Sequence, residues 1–384
     1  MKIAILGHGV VGRGVDRIVT DRVEGVEVSR ILELPDRLTD PRMTSNFQDI
    51  VDDSEISLVV ECMGGIEPAH TFIMDALSAG KSVVTSNKAV VAEHFGEFVS
   101  QANFSHAGLY IEATCGGGIP WIASILKARR IDDISSISGI MNGTTNYIVD
   151  AMVREGADFD VVLAEAQRLG YAERDPSADI DGIDVRNKTI IASSVAFDTT
   201  CTGSIPVTGI RTLTKADLDL FESRGLSVKL LGRAVQGDGR YAAAVEPVAV
   251  PLRSLEANVP SNFNLCTLVG TTVGELKFYG QGAGSLPTGN AIVQDILDFS
   301  EGRVPHYDID TPKQYDPTLL TSDYVIRTSS YVEDSEPYAE DFEFVGGDRA
   351  FLLRGITAEK AHEAFVNVLD QDPSSFMAAI ARED

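Results

Sequence analysis

The sequence predicts an α/β protein whose N-terminal part is a doubly wound parallel sheet. Over about the first 110 residues, short apolar runs alternate with helical segments, an alternation typical of βαβ units. The runs are apolar throughout, as expected of parallel strands covered on both faces. A glycine-rich turn follows the first run. The predicted strands cover residues 2–6, 27–32, 56–61, 82–85 and 109–113, and the predicted helices cover 12–19, 68–79 and 89–102.

The composition is that of an ordinary globular protein of two to three domains. Of its 384 residues, 44% are hydrophobic and 23% are charged. A formal net charge of −25 repels nucleic acid and anionic lipid, so we expect neither as a partner. No apolar run approaches the ~20 residues that span a bilayer, and Met1 leads straight into a strand with no signal sequence. The four cysteines are scattered without a CxxC pair, which favours a reducing cytoplasm.

The pattern changes near residue 131, where a second, α+β domain is predicted over residues 131–279. Residues 280–310 carry a glycine-rich turn and a helix, and we expect them to return to the first domain, residues 1–130. The predicted strands of the second domain cover 134–140, 227–234 and 241–250, and its helices cover 144–154, 160–169 and 181–196.

The first motif with chemical meaning is Gly7-His8-Gly9-Val10-Val11-Gly12, between the first strand and the first helix. Gly7 permits a tight turn, Gly9 lets the backbone approach a pyrophosphate, and Gly12 allows the helix to pack closely on the strand. The N–H groups at the start of the helix would then hold the phosphates. This strand–turn–helix context predicts a Rossmann-type dinucleotide-binding domain.

An acidic residue at the end of the second strand bears on the choice of cofactor. Glu33 lies where a carboxylate accepts hydrogen bonds from the ribose hydroxyls and repels a 2′-phosphate, which favours NAD over NADP. Arg13, Arg30 and Arg37 are near enough in sequence to bind that phosphate instead. A solvated loop acid is the alternative interpretation of Glu33.

A cluster of acids and one lysine follows the helix predicted over residues 160–169. Asp184 and Lys188 stand four residues apart and therefore share one helix face, with Glu173 and Asp179 shortly before them. Carboxylates beside one ammonium suit a small zwitterion such as an amino acid. A surface salt bridge, worth a few tenths of a kcal/mol, is the alternative.

Two further segments lie at predicted strand ends, where ligands bind in such folds. Thr85-Ser86-Asn87-Lys88 places a lysine within reach of a cofactor or substrate, or simply in the first turn of a helix. In residues 112–120 (EATCGGGIP), backbone carbonyls and the Glu112 carboxylate could hold a hard cation, or Cys115 could be a nucleophile. A tight turn with a buried thiol is the remaining alternative.

Seven segments in the same order resemble motifs of the homoserine dehydrogenase family over roughly residues 1–300. The resemblance implies reversible hydride transfer between homoserine and aspartate 4-semialdehyde with NAD or NADP, on the route to threonine, methionine and isoleucine. It also implies a substrate-binding and dimerisation role for the second domain, in a homodimer or a dimer of dimers. The segments are GHGVVG, TSNKAVVAE, EATCGGGIP, GIMNGTTNYI, EAQRLGYAERDP with DIDGIDVRNK, VTGI with SVKLLG, and GQGAGSLPTGNAIVQDI.

The family motifs also imply roles for individual residues. Lys188 matches the proton-transfer lysine, and Lys88 matches a lysine near the nicotinamide and substrate. Substrate binding falls to Glu173 and Asp184, with Asp179, Asn142 and Gly143 close by. An alkali cation, Na⁺ or K⁺, is expected at Glu112 and the backbone of Cys115, Gly117 and Ile119. The expected cofactor contacts are Gly7, Gly9, Val10, Val11, Gly12, Glu33, Met63, Gly64, Ser86, Lys88 and Gly282.

Two other functions compete with this interpretation. An aldehyde dehydrogenase acting on the same semialdehyde would use Cys115 as its nucleophile with a histidine base nearby, and the glycine-flanked setting offers no obvious base. A non-catalytic NAD-binding sensor would not need both Lys88 and Lys188.

Residues 311–384 are predicted to form a small appendage, which is either reduced or a diverged regulatory domain of the ACT type. We expect strands at 324–332 and 350–354 and helices at 358–369 and 374–381. These are too few strands for the βαββαβ order of a threonine-binding domain. Pro337 and the lack of glycine in residues 333–337 also argue against a tight ligand turn. We therefore expect weak or no inhibition by threonine.

Overall fold

A computed structural model describes residues 1–329, 339–345 and 348–381. The chain divides into two compact units. Unit 1 comprises Met1–Ile131, Ile191–Cys201 and Gln281–Pro312, and unit 2 comprises Asp132–Ile190, Thr202–Gly280 and Lys313–Asp384. None of the helices among the described residues is long and apolar enough to cross a bilayer.

Unit 1 is built on a six-stranded parallel sheet in the order β3-β2-β1-β4-β5-β6. This is the strand order of the dinucleotide-binding doubly wound fold, in which the order reverses between β1 and β4. The strands are β1 (Lys2–Leu6), β2 (Glu27–Leu32), β3 (Met43–Thr44), β4 (Ile56–Glu61), β5 (Ser82–Thr85) and β6 (Leu109–Tyr110). The helices between and after them are α1 (Val10–Arg22), α2 (Gln48–Val51), α3 (Ala69–Ser78), α4 (Lys88–Ser105) and α5 (Trp121–Ala128), with short 3₁₀ turns at Pro35–Arg37 and Glu112–Thr114.

Unit 2 contains a ten-stranded, mostly antiparallel sheet in the order β11-β10-β7-β8-β9-β16-β13-β15-β14, with β12 also paired to β9. The strands are β7 (Ile134–Ile140), β8 (Leu226–Gly237), β9 (Arg240–Pro251), β10 (Phe263–Gly270), β11 (Gly274–Gln281), β12 (Gln314–Tyr315), β13 (Thr321–Thr328), β14 (Ala339–Val345), β15 (Asp348–Thr357) and β16 (Phe376–Ile380). The remaining helices among the described residues are α6 (Gly143–Glu155), α7 (Phe159–Leu169), α8 (Ser177–Ile180), α9 (Ile183–Ala196), α10 (Lys215–Ser223), α11 (Ser285–Ser300) and α12 (Ala358–Gln371), with a 3₁₀ turn at Pro317–Leu319. The boundary between the units falls within α9.

The helix α11 packs in unit 1 although it follows Asp132–Ile190 and Thr202–Gly280 of unit 2 in the sequence. Ile292 and Ile296 are buried in the same apolar cluster as Val15 of α1 and the β1 side chains. A Cβ at Gly289 would lie 3.3 Å from the Ile18 side chain, so the missing side chain lets α1 and α11 approach closely.

The C-terminal residues differ from the prediction in strand number and in position. The described part of residues 311–384 contains the short strand β12 and four longer strands instead of two, and residues 376–380 form a strand where a helix was predicted, so that prediction is wrong. β13 and β14 both run antiparallel to β15, and β16 lies on the other side of β13. The resulting order, β16-β13-β15-β14, is that of a βαββαβ sheet, so the strand count does not argue against a regulatory domain. Residues 330–338, which include the end of the predicted first strand and the turn at Pro337, lie outside the described residues.

These strands are also not a separate appendage, because they extend the sheet of unit 2. β16 pairs in parallel with β9 through Ala379 opposite Val248 and Ile380 opposite Ala249. One apolar cluster combines side chains from β9 with Phe351, Phe365 and Met377. The core of unit 2 therefore depends on the C-terminal residues.

Several other elements were missed or given wrong bounds. The helix α10 and the strands β10 and β11 were not predicted. The strand predicted over residues 109–113 stops at Tyr110, because Glu112 enters a 3₁₀ turn from which its side chain reaches the start of α5.

Candidate active site

The glycine-rich loop has the geometry that the motif predicts. Gly7 adopts a φ of +85°, which favours glycine, and a Cβ there would lie 3.0 Å from the Met63 side chain. A Cβ on Gly12 would lie 2.1 Å from the Gly7 carbonyl oxygen, so only glycine permits this approach of helix to strand. A Cβ on Gly9, by contrast, would meet no atom within 4 Å. The loop therefore leaves open space beside Gly9, at the N-terminus of α1 and next to the strand-order switch, where a dinucleotide pyrophosphate fits.

Glu33 is bonded to this loop and is not a solvated loop acid. Its carboxylate accepts hydrogen bonds from the Leu34 N–H at 2.9 Å and from the His8 N–H at 3.0 Å. These bonds, that of Leu34 first, lower the pKa of Glu33 and keep it ionised. A carboxylate oxygen has two lone pairs, so both oxygens retain the capacity to accept from ribose hydroxyls.

A second carboxylate, which the sequence analysis missed, organises the neighbouring strand end. Glu61, the last residue of β4, is fully buried and accepts hydrogen bonds from the Met63 N–H at 2.7 Å and the Thr85 hydroxyl at 2.5 Å. Burial raises the pKa of Glu61. The side chain ties the ends of β4 and β5 together and sets the Met63–Gly64 turn beside Gly7. An acid ending a β-branched strand (ISLVVE) was the signal available in the sequence.

Lys88 is fixed by the cap of α4. Asn87 accepts from the Val90 N–H at 3.4 Å and donates to the Gly65 carbonyl at 2.6 Å, which binds the helix start to the β4 turn. Lys88 is the first helical residue and is half-buried, and the preceding Ser86 is half-buried as well. Both residues lie where β5 ends, on the same sheet edge as the glycine-rich loop.

The residues expected to bind an alkali cation all lie in the segment between β6 and α5 of unit 1. The Glu112 carboxylate accepts from the Ile122 N–H at 3.1 Å and from the Ala123 N–H at 2.6 Å, so it caps α5. Burial raises the pKa of Glu112 to about 7. The Glu112 carboxylate contacts backbone N–H groups, the Glu112 N–H donates to the Asp295 carboxylate at 3.1 Å, and no cationic side chain of the described residues forms an ion pair with Glu112. A buried carboxylate in this setting suits a cation bound with the nearby carbonyls.

The turn that carries those carbonyls lies against the returning glycine-rich segment. Gly117 has a φ of +58°, and a Cβ there would lie 2.4 Å from the Gly282 backbone. The Gly118 N–H donates to the Gln281 carbonyl at 2.9 Å. Cys115 is fully buried and its sulfur accepts from the Thr114 hydroxyl at 3.7 Å, a setting that does not suit a nucleophile.

Of the predicted substrate residues, Asn142, Gly143, Asp179 and Asp184 lie together in unit 2, with Asn142 at the centre of this cluster. Asn142 caps α6 by accepting from the Thr145 N–H at 2.8 Å. Its side-chain amide donates to Asp179 at 2.7 Å and to Asp184 at 2.9 Å. Burial, and then the charge of Asp184, raises the pKa of Asp179. Gly143 is required where it stands, because a Cβ there would lie 2.7 Å from a neighbouring backbone oxygen.

Lys188 completes this cluster, and its pairing is not a surface salt bridge. Its ammonium donates to Asp184 at 2.8 Å and to the Met141 carbonyl at 2.6 Å. The side chains of Lys188 and Asp184 are only 8% and 6% exposed. These two oxygens hold the ammonium in one position. In an exposed pair at the same helical spacing, the lysine side chain could instead rotate into solvent.

Glu173 is the one predicted substrate residue that is not in the cluster. Glu173 is exposed, and it accepts a hydrogen bond from the Gln167 side chain at 3.0 Å through its backbone carbonyl, not through its carboxylate. Among the contacts of the described residues, none joins the Glu173 carboxylate to Asn142, Asp184 or Lys188.

Together these features define the class of Rossmann-type, nicotinamide-dinucleotide-dependent oxidoreductases, here with a buried lysine paired to carboxylates in unit 2. Residues 7–112 match the family model for the NAD-binding domain of homoserine dehydrogenase, and residues 120–297 match the family model for homoserine dehydrogenase. The chain belongs to the homoserine dehydrogenase family, NAD(P)-dependent enzymes that interconvert homoserine and aspartate 4-semialdehyde.

Individual relatives support the same assignment. The chain is 36% identical over 321 residues to the homoserine dehydrogenase of Corynebacterium glutamicum, a match that covers 79% of this chain and 72% of that enzyme. The crystal structure of a homoserine dehydrogenase from Thiobacillus denitrificans matches with a TM-score of 0.87 and 31% identity, over 99% of this chain and 98% of that one. A hyperthermophilic archaeal homoserine dehydrogenase mutant in complex with NADPH matches with a TM-score of 0.66 and 26% identity, over 79% and 98% of the two chains.

Proposed function

We propose that Lys188 moves the proton in the reaction that the family catalyses. The reduced nicotinamide, when bound, supplies the hydride to the carbonyl carbon of the semialdehyde. As negative charge grows on the carbonyl oxygen, the Lys188 ammonium stabilises that charge and transfers a proton to the oxygen, which yields the hydroxyl of homoserine. The resulting amine regains a proton from water.

The buried position of the Lys188 ammonium carries this proposal. Asp184 and the Met141 carbonyl hold Nζ at 2.8 and 2.6 Å, so the donor needs little reorganisation during the reaction. A Lys188→Met variant that binds cofactor and still turns over at the wild-type rate would remove Lys188 from the mechanism.

We assign the binding of the substrate ammonium to the carboxylates of Asp184 and Asp179, with Glu173 closing over it from the exposed side. Asn142 holds the two aspartates in register, and Gly143 keeps the start of α6 close to them. A carboxylate accepts charge-assisted bonds from an ammonium, so Asp184→Asn or Glu173→Gln should raise KM for homoserine more than it lowers kcat. An unchanged KM in a folded variant would contradict the role of that residue.

The cofactor residues are proposed from their common position around the strand-order switch. The Gly7–Gly12 loop would hold the pyrophosphate, and Lys88 and Ser86 at the end of β5 would lie near the nicotinamide. Hydrogen bonds from the Met63 and Gly64 N–H groups to Glu61 fix their turn. Val10, which is 66% exposed, and Val11 would cover the cofactor from the helix start, with Gly282 contributing from the returning turn.

We infer a preference for NAD from Glu33. Its ionised carboxylate, held by the His8 and Leu34 N–H groups, would accept from the ribose hydroxyls and repel a 2′-phosphate. Measurement of kcat/KM with NAD and with NADP tests the preference. A clear preference for NADP would instead favour a phosphate contact from an arginine such as Arg37.

The cation proposal rests on the burial of Glu112. Na⁺ or K⁺ bound by its carboxylate and by the carbonyls of Cys115, Gly117 and Ile119 would neutralise a charge that burial otherwise disfavours. A titration of activity with alkali cations, in the wild type and in Glu112→Ala, tests it. Activity independent of the cation in both proteins would refute the proposal.

We further propose that the enzyme assembles as a homodimer or a dimer of dimers and acts in the cytoplasm. The edge strand β11 supports assembly, because Tyr279 is 54% exposed there and the nearby Val273 is 43% exposed. The few, scattered cysteines support the location. A monomeric mass in solution, measured by light scattering, would contradict the assembly.

A further inference from the structure

Two histidines and a glutamate meet between α3 and α4 of unit 1, in residues that the reaction does not use. His70 of α3 lies 2.9 Å from Glu97 of α4, measured from Nε2 to Oε2, and His94 Nδ1 lies 3.2 Å from the same oxygen. The three ligand atoms all lie within 4.8 Å of one another. The two imidazole rings have centroids 4.1 Å apart.

The opposite nitrogens of both rings face carboxylates. His70 Nδ1 lies 3.2 Å from Glu67 Oε1, and His94 Nε2 lies 3.7 Å from Glu93 Oε1. In metal sites, the ring nitrogen that does not bind the metal commonly donates to a carboxylate, which orients the ring and raises its basicity. With a metal on Nε2, the Nδ1–H group of His70 would donate to the Glu67 carboxylate, which would orient the ring.

We propose that His70 Nε2, His94 Nδ1 and Glu97 bind one divalent transition-metal ion of the Zn²⁺ class, with water completing the coordination. Imidazole and carboxylate ligands suit zinc, and two histidines with one glutamate are an established ligand set. Tetrahedral bonds of about 2.0–2.1 Å place neighbouring ligand atoms about 3.4 Å apart. The two separations from Glu97 Oε2, 2.9 and 3.2 Å, need widening by only a few tenths of an ångström.

The local backbone is shaped to bring the ligands together. α4 departs from helical geometry at His94, with φ −121° and ψ 17°, and this kink lies three residues before Glu97. The side chains of His70 and His94 are only 20% and 24% exposed, and the buried ring of Phe98 lies beneath both. A bound ion would join α3, which follows the Met63–Gly64 turn, to α4, which begins at Lys88.

Protons compete with the metal for this site. A histidine must be neutral to bind a metal through its lone pair, so the metal affinity falls as the pH falls. The groups that face the two rings are Glu67, Glu93 and Glu97.

The test uses the full-length protein, stripped with a chelator and then titrated with Co²⁺ and Zn²⁺. We expect one ion per chain, a visible Co²⁺ absorption typical of a four-coordinate site, and displacement of that absorption by Zn²⁺. Glu67→Gln should weaken the affinity by about 10- to 100-fold with the stoichiometry kept, as expected for the loss of a carboxylate that orients a ligand.

His70→Ala/His94→Ala should lose the Co²⁺ absorption and the bound ion, whereas His306→Ala, which removes an exposed histidine elsewhere, should keep both. If the double variant does not fold, Glu97→Gln replaces it, because Glu97 is the more exposed ligand and its substitution disturbs the packing less. This variant should also lose the Co²⁺ absorption. Equal uptake by the wild type and the folded ligand variants would assign the ion to the acidic surface and overturn the proposal. Absence of a four-coordinate Co²⁺ spectrum in the wild type would overturn it as well.

Discussion

Replacement of Lys188 by methionine separates its chemical role from its structural one. The change keeps most of the side-chain volume but removes the ammonium that pairs with Asp184 at 2.8 Å. Asp184 would then be a buried carboxylate without its ammonium partner, although the Asn142 amide would still donate to it at 2.9 Å. Loss of one partner from a buried ion pair costs about 3–5 kcal/mol of unfolding free energy. Loss of a general acid lowers turnover by about 10²- to 10⁴-fold.

The double variant Lys188→Met/Asp184→Asn removes the unpaired charge and should recover much of the stability. Turnover should stay at least about 10²-fold below wild type, because the proton donor is still missing. Lys215→Met is the matched control, since Lys215 and Asp219 form an exposed ion pair at 2.6 Å on α10. This control should change stability by less than about 1 kcal/mol and leave turnover unaltered.

The assay follows the reduced nicotinamide by absorbance at saturating substrate, together with chemical denaturation and a cofactor-binding titration for each variant. Turnover of Lys188→Met within tenfold of wild type would refute the proton-transfer role. Recovery of turnover together with stability in the double variant would show that Lys188 acts only by keeping the fold intact.

Four other predictions follow from the geometry. Gly9→Ala should weaken dinucleotide binding in a titration and leave the melting temperature unchanged, because a Cβ there meets no atom within 4 Å. Gly12→Ala should weaken binding and also lower the melting temperature, because its Cβ would lie 2.1 Å from the Gly7 carbonyl oxygen. Equal effects of the two variants on the melting temperature would contradict this division of roles. Glu33→Ala should shift the ratio of kcat/KM for NAD over NADP by about tenfold or more toward NADP, and an unchanged ratio would show that Glu33 does not contact the ribose. Burial raises the pKa of Glu112 to about 7 from 4.5, so the folded wild type binds this proton more tightly than the unfolded chain does, and the wild type loses that stability as the pH rises through 7. The free energy of unfolding of Glu112→Gln, measured by denaturation relative to wild type, should therefore rise by about 3 kcal/mol between pH 4.5 and 8. A difference between the two proteins that does not change with pH would contradict the raised pKa. Truncation after Asp316 should leave unit 2 unfolded by circular dichroism, since β13–β16 supply part of its core, and a folded truncated protein would mean that the C-terminal strands are dispensable.

The sequence alone determined the parts of this protein that depend on local pattern. Apolar runs separated by turns located β1, β2, β4 and β5 to the residue, because parallel strands covered on both faces need continuous apolar residues. The glycine spacing after β1 located the dinucleotide loop, because only glycine fits at Gly7 and Gly12. The spacing of Asp184 and Lys188 placed both on one face of α9, since residues four apart are neighbours on a helix.

Only the tertiary structure decided which distant residues meet. The side chain of Asn142 forms a hydrogen bond with Asp184, which is 42 positions away in the sequence. This contact shows that Asp184 and Lys188 belong to a buried cluster, whereas their spacing in the sequence equally allowed a surface salt bridge. The pairing of β16 with β9 made the C-terminal residues part of unit 2, although their short, mixed pattern resembled an appendage. The contact of His70 with Glu97 depends on how α3 packs against α4. These contacts join residues that are far apart in the sequence. Which residues are buried together, and which strands pair, depends on how the whole chain folds, so a short stretch of sequence does not specify the contact partner of a residue.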